Sequence, residues 1–254
     1  MLTALLSVPS LVLMSAAADW TPNKAGVLWD VDGTLVESTR LAFDATNEVL
    51  CGAGREAVTE ADYKFGCRYT TPERFNYHMG LPTGDPQGGK LGDIFDDTYV
   101  QRVSKETAGL FDGMERLLRS LAMAGHPQAA LSNACGAYVR AVMTANELDE
   151  LPGSRTALLS VALGADEVAA AKPAADGLLE CCEKLGVEPA LSVYVGDSPS
   201  DGKAAKAAGM PSVGVAWGAN SEADLAPHFD RMAADVPALI VALRETLAPK
   251  EAPA

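Results

Sequence analysis

The sequence predicts a doubly wound α/β fold, in which helices cover both faces of a parallel sheet. Short apolar runs alternate with helix-like segments from residue 128 onward, the pattern that parallel strands joined by helical crossovers produce. An earlier apolar run, Val27-Leu28-Trp29, stops abruptly at Asp30 and Asp32. Because open α/β sheets bind ligands at the carboxyl ends of their strands, these acids mark the expected site.

Length and composition restrict the classes of protein to consider. The 254 residues suit one α/β domain with a small insertion, and 48% hydrophobic residues are ample for a core. A net charge of −14 disfavours nucleic acid and anionic membranes as partners, since both need clustered Lys and Arg. The odd number of cysteines, five, gives no disulfide framework and favours a reducing compartment, so we expect a cytoplasmic protein.

Residues 1–18 form an apolar leader with two interpretations. The stretch resembles the apolar region and small-residue cleavage zone of a signal peptide, but no Lys or Arg precedes it. Its short length and Pro9 disfavour a membrane span. The protein would be secreted or organellar if residues 1–18 are a targeting segment, and otherwise they are a dispensable N-terminus.

Residues 38–110 show several helix signals and few strand signals, so we predict a helical insertion there. Thr71-Pro72 opens a helix that would end at Gly80, because proline is favoured at the first helical position and glycine just past the last. Residues 81–90 are rich in Pro and Gly and are predicted as a turn, followed by a helix at about 90–107.

The rest of the chain is assigned to an α/β core of residues 19–37 and 111–248, followed by a tail at 249–254. Asp112-Gly113-Met114-Glu115 is a capping-box variant that opens the first core helix. The expected helices are 114–123, 137–145, 174–185 and 199–208, and the expected strands are 128–131, 158–161, 191–195 and 212–215.

Chemically useful side chains follow several of these strands. Asp30 and Asp32 are spaced i, i+2 at a strand end, so both side chains can point in one direction, and Gly33 lets the backbone turn beside an anion. Two such acids repel each other, and the pair is stable mainly when a cation or a shared proton relieves the repulsion.

Four segments, in this order and context, resemble the motifs of the haloacid dehalogenase (HAD) superfamily of phosphohydrolases. They are Asp30-Val31-Asp32-Gly33-Thr34, Leu131-Ser132-Asn133, Lys172-Pro173 and Gly196-Asp197-Ser198-Pro199-Ser200-Asp201. Each segment alone has an ordinary explanation as a turn, a cap or a solvated lysine. Their joint order carries the resemblance, which covers about residues 24–245.

The resemblance implies a catalytic role for each acid. Asp30 attacks phosphorus to form an aspartyl phosphate, and Asp32 protonates the leaving oxygen and later activates water. Mg²⁺ is held by the Asp30 carboxylate, the Asp32 backbone carbonyl and Asp197, while Asp201 supports that shell.

The phosphate-binding residues also follow from the resemblance. Ser132, the backbone amide of Asn133 and Lys172 hold the phosphate, beside the turn at Gly33. Asp32 argues against a dehalogenase, because a halide leaves without protonation whereas an alkoxide benefits from it.

Spacing places the insertion between the first two motifs. Many more residues separate Asp30 from Ser132 than one helical crossover needs, so residues 38–110 form the cap, similar to the phosphoglycolate phosphatase and β-phosphoglucomutase branch. Within it, Arg74 and His78 are spaced i, i+4 and are predicted to face the distal end of the substrate. The alternative is a solvated helix face with His78 half buried beside Tyr77.

The expected function is a Mg²⁺-dependent phosphatase for a small phosphomonoester, with phosphoglycolate the first substrate to test. A sugar-phosphate phosphatase or a β-phosphoglucomutase-type phosphotransfer enzyme is the alternative. A catalytically silent binding protein is disfavoured, because it has no need for four costly convergent acids. The sequence leaves the oligomeric state open.

Overall fold

The computed structural model describes residues 25–149 and 158–248, so the predicted leader at 1–18 and tail at 249–254 lie outside the described residues. The strands are β1 (Val27–Trp29), β2 (Val36–Glu37), β3 (Gly109–Leu110), β4 (Gln128–Leu131), β5 (Val161–Leu163), β6 (Val193–Gly196), β7 (Ser212–Val215) and β8 (Arg231–Ala233). The α-helices are α1 (Thr39–Gly52), α2 (Glu60–Gly66), α3 (Thr71–Met79), α4 (Pro86–Gln101), α5 (Met114–Met123), α6 (Gly136–Ala145), α7 (Asp176–Leu185), α8 (Pro199–Ala207), α9 (Glu222–Leu225) and α10 (Val236–Leu247). Across both described ranges, no helix is long and apolar enough to cross a membrane.

Six of the strands form one parallel sheet in the order β5-β4-β1-β6-β7-β8. Strand β1 is central, with Leu28 paired to Ala129 of β4 on one side and to Tyr194 of β6 on the other. The chain runs from β1 towards β5 in one direction and from β6 towards β8 in the other. The topological switch point, where such sheets bind ligands, therefore lies between β1 and β6.

Two apolar cores cover the two faces of this sheet. Val27 and Trp29 of β1 belong to one core, which includes residues of α5, α6 and α10. Leu28 points the other way into a second core with Leu178 of α7 and Ala204 of α8, because successive strand side chains face opposite sides. A sheet covered on both faces has nearly continuous apolar strands, and this architecture confirms the predicted doubly wound α/β fold.

Helices α1 to α4 lie between β2 and β3, which pair as a short antiparallel ribbon. The predicted insertion at 38–110 encloses these four helices and is called the cap segment below. Helices α3 and α4 pack closely at Gly88, where an added Cβ would collide with the Asn76 side chain and the Pro72 carbonyl. Gly88 therefore allows the two helices to pack closely.

Helix α3 ends at Gly80 as predicted, with the glycine in the left-handed conformation, whereas α4 differs from the prediction of 90–107. Asp85 caps α4 by accepting a 2.9 Å hydrogen bond from the amide of Gln87, and Pro86 occupies the first helical position. The Pro/Gly-rich stretch 81–90 thus contains a helix start as well as a turn.

Other predicted boundaries were also wrong. The strand expected at 158–161 is β5 at Val161–Leu163, because the buried residues Leu158 and Leu159 donate their amides to the Leu148 carbonyl instead of to the sheet. Helix α5 begins after Gly113, which has a left-handed φ of 84° and provides no side-chain cap, so Asp112 does not form the expected capping box. Strands β2, β3 and β8 and helices α9 and α10 were not predicted.

Candidate active site

Three buried carboxylates converge at the switch point of the sheet. Asp30 follows β1, Asp197 follows β6, and Asp201 lies in the first turn of α8. One carboxylate oxygen from each lies within 4.8 Å of the other two, and the three residues are 6%, 4% and 0% exposed, respectively. The backbone fixes the spacing of the two strand ends, since the Asp30 amide donates to the Val195 carbonyl at 2.8 Å.

Lys172 places one positive charge among these acids. Its Nζ lies 2.6 Å from Asp30 Oδ1 and 2.7 Å from Asp201 Oδ1, and the side chain is 2% exposed. It also lies within hydrogen-bond distance of the Tyr194 hydroxyl, at 3.0 Å, and of the Leu131 carbonyl, at 3.2 Å. The ammonium group is thus fixed in one position by core residues.

Asp201 is occupied by protein donors on both of its oxygens. Oδ1 accepts from Lys172 and, at 3.0 Å, from the Tyr194 hydroxyl, while Oδ2 accepts from the Ser198 amide at 3.0 Å and the Ser198 hydroxyl at 2.7 Å. The Ser198 pair forms the capping box of α8. Asp201 is therefore placed to hold Lys172, and its support of a metal shell stays a prediction.

A loop after β7 holds Asp197, and the residues of this loop were not predicted as part of the site. The Ala219 amide donates to Asp197 Oδ2 at 2.7 Å, and the Asn220 side-chain amide donates to the Asp197 carbonyl at 3.0 Å. An added Cβ at Gly33 or Gly218 would collide with the Asp197 carboxylate. Gly33, with φ of 75°, therefore provides both the tight turn that was predicted and space for this acid.

Burial and the nearby acids raise the pKa values of Asp30 and Asp197. Burial, reinforced by Asp201, raises the pKa of Asp197 to about 7. Burial and Asp201 also raise the pKa of Asp30 well above its usual range, although Lys172 opposes the change. Burial alone would lower the pKa of Lys172, but Asp201 and Asp30 raise it, so the lysine stays charged.

This cluster fits a divalent cation. The donors are carboxylate oxygens, the ligands that Mg²⁺ prefers, and a cation would relieve the excess of buried negative charge left after Lys172 is counted. Asp30 and Asp197 are the side chains placed to bind it, while Asp201 is already held by Lys172, Tyr194 and Ser198.

Asp32 lies apart from this cluster and is surrounded by hydroxyl groups. Oδ1 accepts from Ser38 at 2.5 Å, from Tyr138 of α6 at 2.5 Å and from Tyr99 of α4 at 3.0 Å. The Ser132 hydroxyl lies 3.3 Å from Oδ2. Ser38 and both tyrosines were not predicted as site residues, since nothing in the local sequence pattern distinguishes them from capping or core residues.

The predicted phosphate-binding residues line a cavity that the acids also line. Ser132 and Asn133, which follow β4, line this cavity together with Asp30, Asp32 and Lys172. The Asn133 side-chain amide donates to the Lys172 carbonyl at 3.0 Å, which ties the second and third motifs together.

Arg74 lines this cavity from the cap segment. It is 8% exposed, its guanidinium carbon lies 4.6 Å from the centre of the Phe95 ring and 5.7 Å from that of Tyr63, and it is not part of a solvated helix face. Its Nε and Nη2 are buried without a hydrogen-bond acceptor among the described residues. The site thus contains a buried guanidinium that can donate hydrogen bonds to an acceptor in the cavity.

His78, the other predicted cap residue, is placed differently. Among the described residues, those that line the cavity include Arg74 but not His78. The His78 ring packs beside Tyr77 and against Gly66, where an added Cβ would touch it. Burial and the nearby Arg74 lower the pKa of His78 to about 4, so its ring is neutral at pH 7.

The fold and this set of acids and lysine define a hydrolase of the haloacid dehalogenase type. The family model described as haloacid dehalogenase-like hydrolase matches residues 27–215, and the chain belongs to that family. A phosphoglycolate phosphatase of Xylella fastidiosa (strain 9a5c) is 32% identical over 202 residues, covering 78% of this chain and 82% of that protein. A phosphoglycolate phosphatase of Escherichia coli (strain K12) is 30% identical over 217 residues, covering 77% and 82%.

Solved structures share the fold. A haloacid dehalogenase-like family hydrolase from Streptococcus pneumoniae has a TM-score of 0.71 at 19% identity, covering 86% of this chain and 97% of that one. CbbY from Rhodobacter sphaeroides, in complex with phosphate, has a TM-score of 0.69 at 23% identity, covering 82% and 92%. At these identities the likeness concerns the fold alone.

Proposed function

We propose that the protein is a Mg²⁺-dependent phosphatase that hydrolyses a small phosphomonoester carrying a second anionic group. The observation that carries the proposal is that one cavity is lined by Asp30 and Lys172 on the core side and by Arg74 on the cap side, where Nε and Nη2 of Arg74 have no acceptor among the described residues. Phosphoglycolate has both a phosphate and a carboxylate, and two curated relatives above bear the name phosphoglycolate phosphatase.

In the proposed reaction Asp30 is the nucleophile. A carboxylate oxygen of Asp30 forms a bond to phosphorus while the bond from phosphorus to the ester oxygen breaks, giving an aspartyl phosphate and an alcohol. The Thr34 hydroxyl, 3.3 Å from Asp30 Oδ2, and Lys172, 2.6 Å from Oδ1, hold the carboxylate in place. Lys172 and the Ser132 hydroxyl, with the Asn133 amide, would bind the phosphoryl oxygens.

Asp32 moves the protons of both steps. It gives its proton to the departing ester oxygen, and it then takes a proton from the water that attacks the aspartyl phosphate, which restores Asp30 and releases inorganic phosphate. A residue in this role must face the leaving group, and Asp32 lines the cavity between the core and the cap segment.

The proposed cation binds at Asp30, Asp197 and the Asp32 backbone carbonyl, with Asp201 in support. When bound, Mg²⁺ supplies positive charge that offsets the charge of the phosphate and of the nearby carboxylates. The raised pKa values of Asp30 and Asp197 support this assignment, because burial and the neighbouring Asp201 disfavour their ionised forms and a bound cation would favour those forms.

The substrate's distal end is assigned to Arg74 alone. A guanidinium binds a carboxylate with two parallel hydrogen bonds, and Nε and Nη2 of Arg74 have no other acceptor among the described residues. His78 does not line the cavity, so the proposal gives it no contact with substrate.

The cysteines support a location in a reducing compartment such as the cytoplasm, because all five are free: Cys51, Cys67, Cys135, Cys181 and Cys182.

The test is a phosphate-release screen with purified protein over phosphoglycolate, sugar phosphates and aryl phosphates, each with Mg²⁺ and with excess chelator. We expect Mg²⁺-dependent release that is fastest with phosphoglycolate. Interconversion of sugar phosphates without release of inorganic phosphate would instead identify a phosphotransfer enzyme of the β-phosphoglucomutase type. No turnover with any substrate would favour a silent binding protein.

A further inference from the structure

Two stacked tyrosines connect the cap segment to Asp32. Tyr99 lies near the end of α4 in the cap segment, and Tyr138 lies in the first turn of α6 in the core. Their rings are 4.2 Å apart at an angle of 14°, and the residues are 2% and 0% exposed. Both hydroxyls reach Asp32 Oδ1, and the Tyr99 hydroxyl also lies 3.0 Å from that of Tyr138.

We propose that Tyr99 and Tyr138 are positioning residues that orient the Asp32 carboxylate for proton transfer, so that the cap segment must be docked on α6 for efficient protonation of the leaving group. The inference rests on the proposed function, since it takes Asp32 as the proton donor. With Oδ1 held by hydroxyl donors, Oδ2 is the oxygen left for the ester oxygen of the substrate. The other nearby group is the Ser132 hydroxyl, which lies at 3.3 Å from Oδ2.

The two tyrosines contact Asp32 from different parts of the chain. Tyr138 and β1 both belong to the core, so Tyr138 can hold Asp32 whatever the cap segment does. Tyr99 reaches Asp32 only when α4 lies against α6. Ser38, the residue before α1, also donates to Oδ1 from the start of the cap segment. A docked cap segment therefore adds the Tyr99 hydroxyl, which an undocked one would remove.

Phenylalanine substitutions test the idea, because they remove the hydroxyl and keep the stacked ring. In Tyr99→Phe, we expect kcat/KM for alkyl phosphates, whose leaving group needs a proton, to fall by roughly tenfold, a part of the 10²- to 10⁴-fold typical of complete loss of general acid help. For p-nitrophenyl phosphate, whose leaving group is acidic, the loss should be less than twofold. Tyr138→Phe should behave in the same way.

Tyr63→Phe is the matched control, since Tyr63 is a buried tyrosine of the cap segment that also lines the cavity, but it has no hydrogen bond to Asp32 in the described structure. It should leave the ratio of alkyl to aryl activity unchanged. In an Asp32→Asn background, Tyr99→Phe should have no additional leaving-group-dependent effect, because interacting residues are not additive.

The outcomes separate the inference from the proposed function. If Asp32→Asn itself lowers alkyl and aryl activity equally, Asp32 is not the proton donor and the proposed function fails at that step. If Asp32→Asn is selective for alkyl phosphates but Tyr99→Phe and Tyr138→Phe lower both activities equally, the tyrosines only support the fold and the inference is overturned. Thermal melting of each variant shows whether the protein remains folded.

Discussion

Replacing Arg74 gives a sharp test of substrate choice, because this guanidinium is buried, faces the cavity and lacks acceptors for Nε and Nη2 among the described residues. A hydrogen bond to a charged group contributes about 1.5–3 kcal/mol. Loss of the contact in Arg74→Met should therefore raise KM for phosphoglycolate by roughly 10- to 150-fold, since about 1.4 kcal/mol corresponds to a factor of ten. Ethyl phosphate has the same two-carbon chain as phosphoglycolate but no carboxylate, so its KM should change less than threefold.

The assay measures inorganic phosphate release from both substrates at saturating Mg²⁺. Arg68→Ala is the matched control, because Arg68 is an exposed arginine of the same segment, and its guanidinium stacks on Phe65 at 3.6 Å without lining the cavity. It removes the same charge and should leave the preference for phosphoglycolate unchanged. Arg74→Lys should restore only part of the affinity, since an ammonium cannot bind a carboxylate through a planar fork.

The same substitution separates a binding role from a structural one. Methionine can keep contacts with Phe95 and Tyr63, and it removes a buried charge whose Nε and Nη2 have no acceptor in the described part of the chain, so the thermal stability of Arg74→Met should not fall. If activity falls equally with phosphoglycolate and ethyl phosphate and the melting temperature also falls, Arg74 stabilises the cap segment and does not bind the carboxylate of the substrate.

The remaining predictions concern the core acids and their support. Asp30→Asn should abolish phosphate release while the protein stays folded by circular dichroism, because an amide is a poor nucleophile; substantial residual turnover would exclude Asp30 as nucleophile. Asp32→Asn should slow alkyl phosphates roughly 10²- to 10⁴-fold and aryl phosphates much less, measured as kcat/KM. Activity should require Mg²⁺ and be inhibited by Ca²⁺, which accepts more ligands at longer distances and can occupy both oxygens of Asp30; full activity in excess chelator contradicts this. Gly218→Ala should raise the Mg²⁺ concentration for half-maximal activity roughly 10- to 100-fold, as loss of outer-shell support does, because its methyl group would displace Asp197.

Much of the core was predictable because its chemistry is encoded locally. Strand β1 is a short apolar run that ends at Asp30, and β6 ends at Asp197 in the same way, so each strand and its acid could be recognised together. Strand boundaries were less predictable where a residue is buried but does not pair with a neighbouring strand. Leu158 is as buried as a strand residue but its amide bonds to Leu148, and apolar character alone does not distinguish these cases.

The environment of Asp32 was not predictable for a different reason. Tyr99 and Tyr138 lie 67 and 106 residues from Asp32 along the chain and meet it only through the docking of α4 on α6. Both occupy positions that helical periodicity assigns simply to a buried face. Periodicity predicts that a tyrosine ring is buried, but the partner of its hydroxyl depends on how separate segments pack.

The charges at the core end and at the cap end of the cavity favour the same class of substrate. Lys172 is already held between Asp30 and Asp201, so it cannot by itself offset a phosphate in a protein whose net charge is −14. A cation at Asp30 and Asp197 would supply the missing positive charge on the core side. Nε and Nη2 of Arg74 have no acceptor within residues 25–149 and 158–248, and a substrate with a second anionic group would bring one. A phosphomonoester with a second anionic group satisfies both ends of the cavity, whereas a simple alkyl phosphate satisfies only the core end.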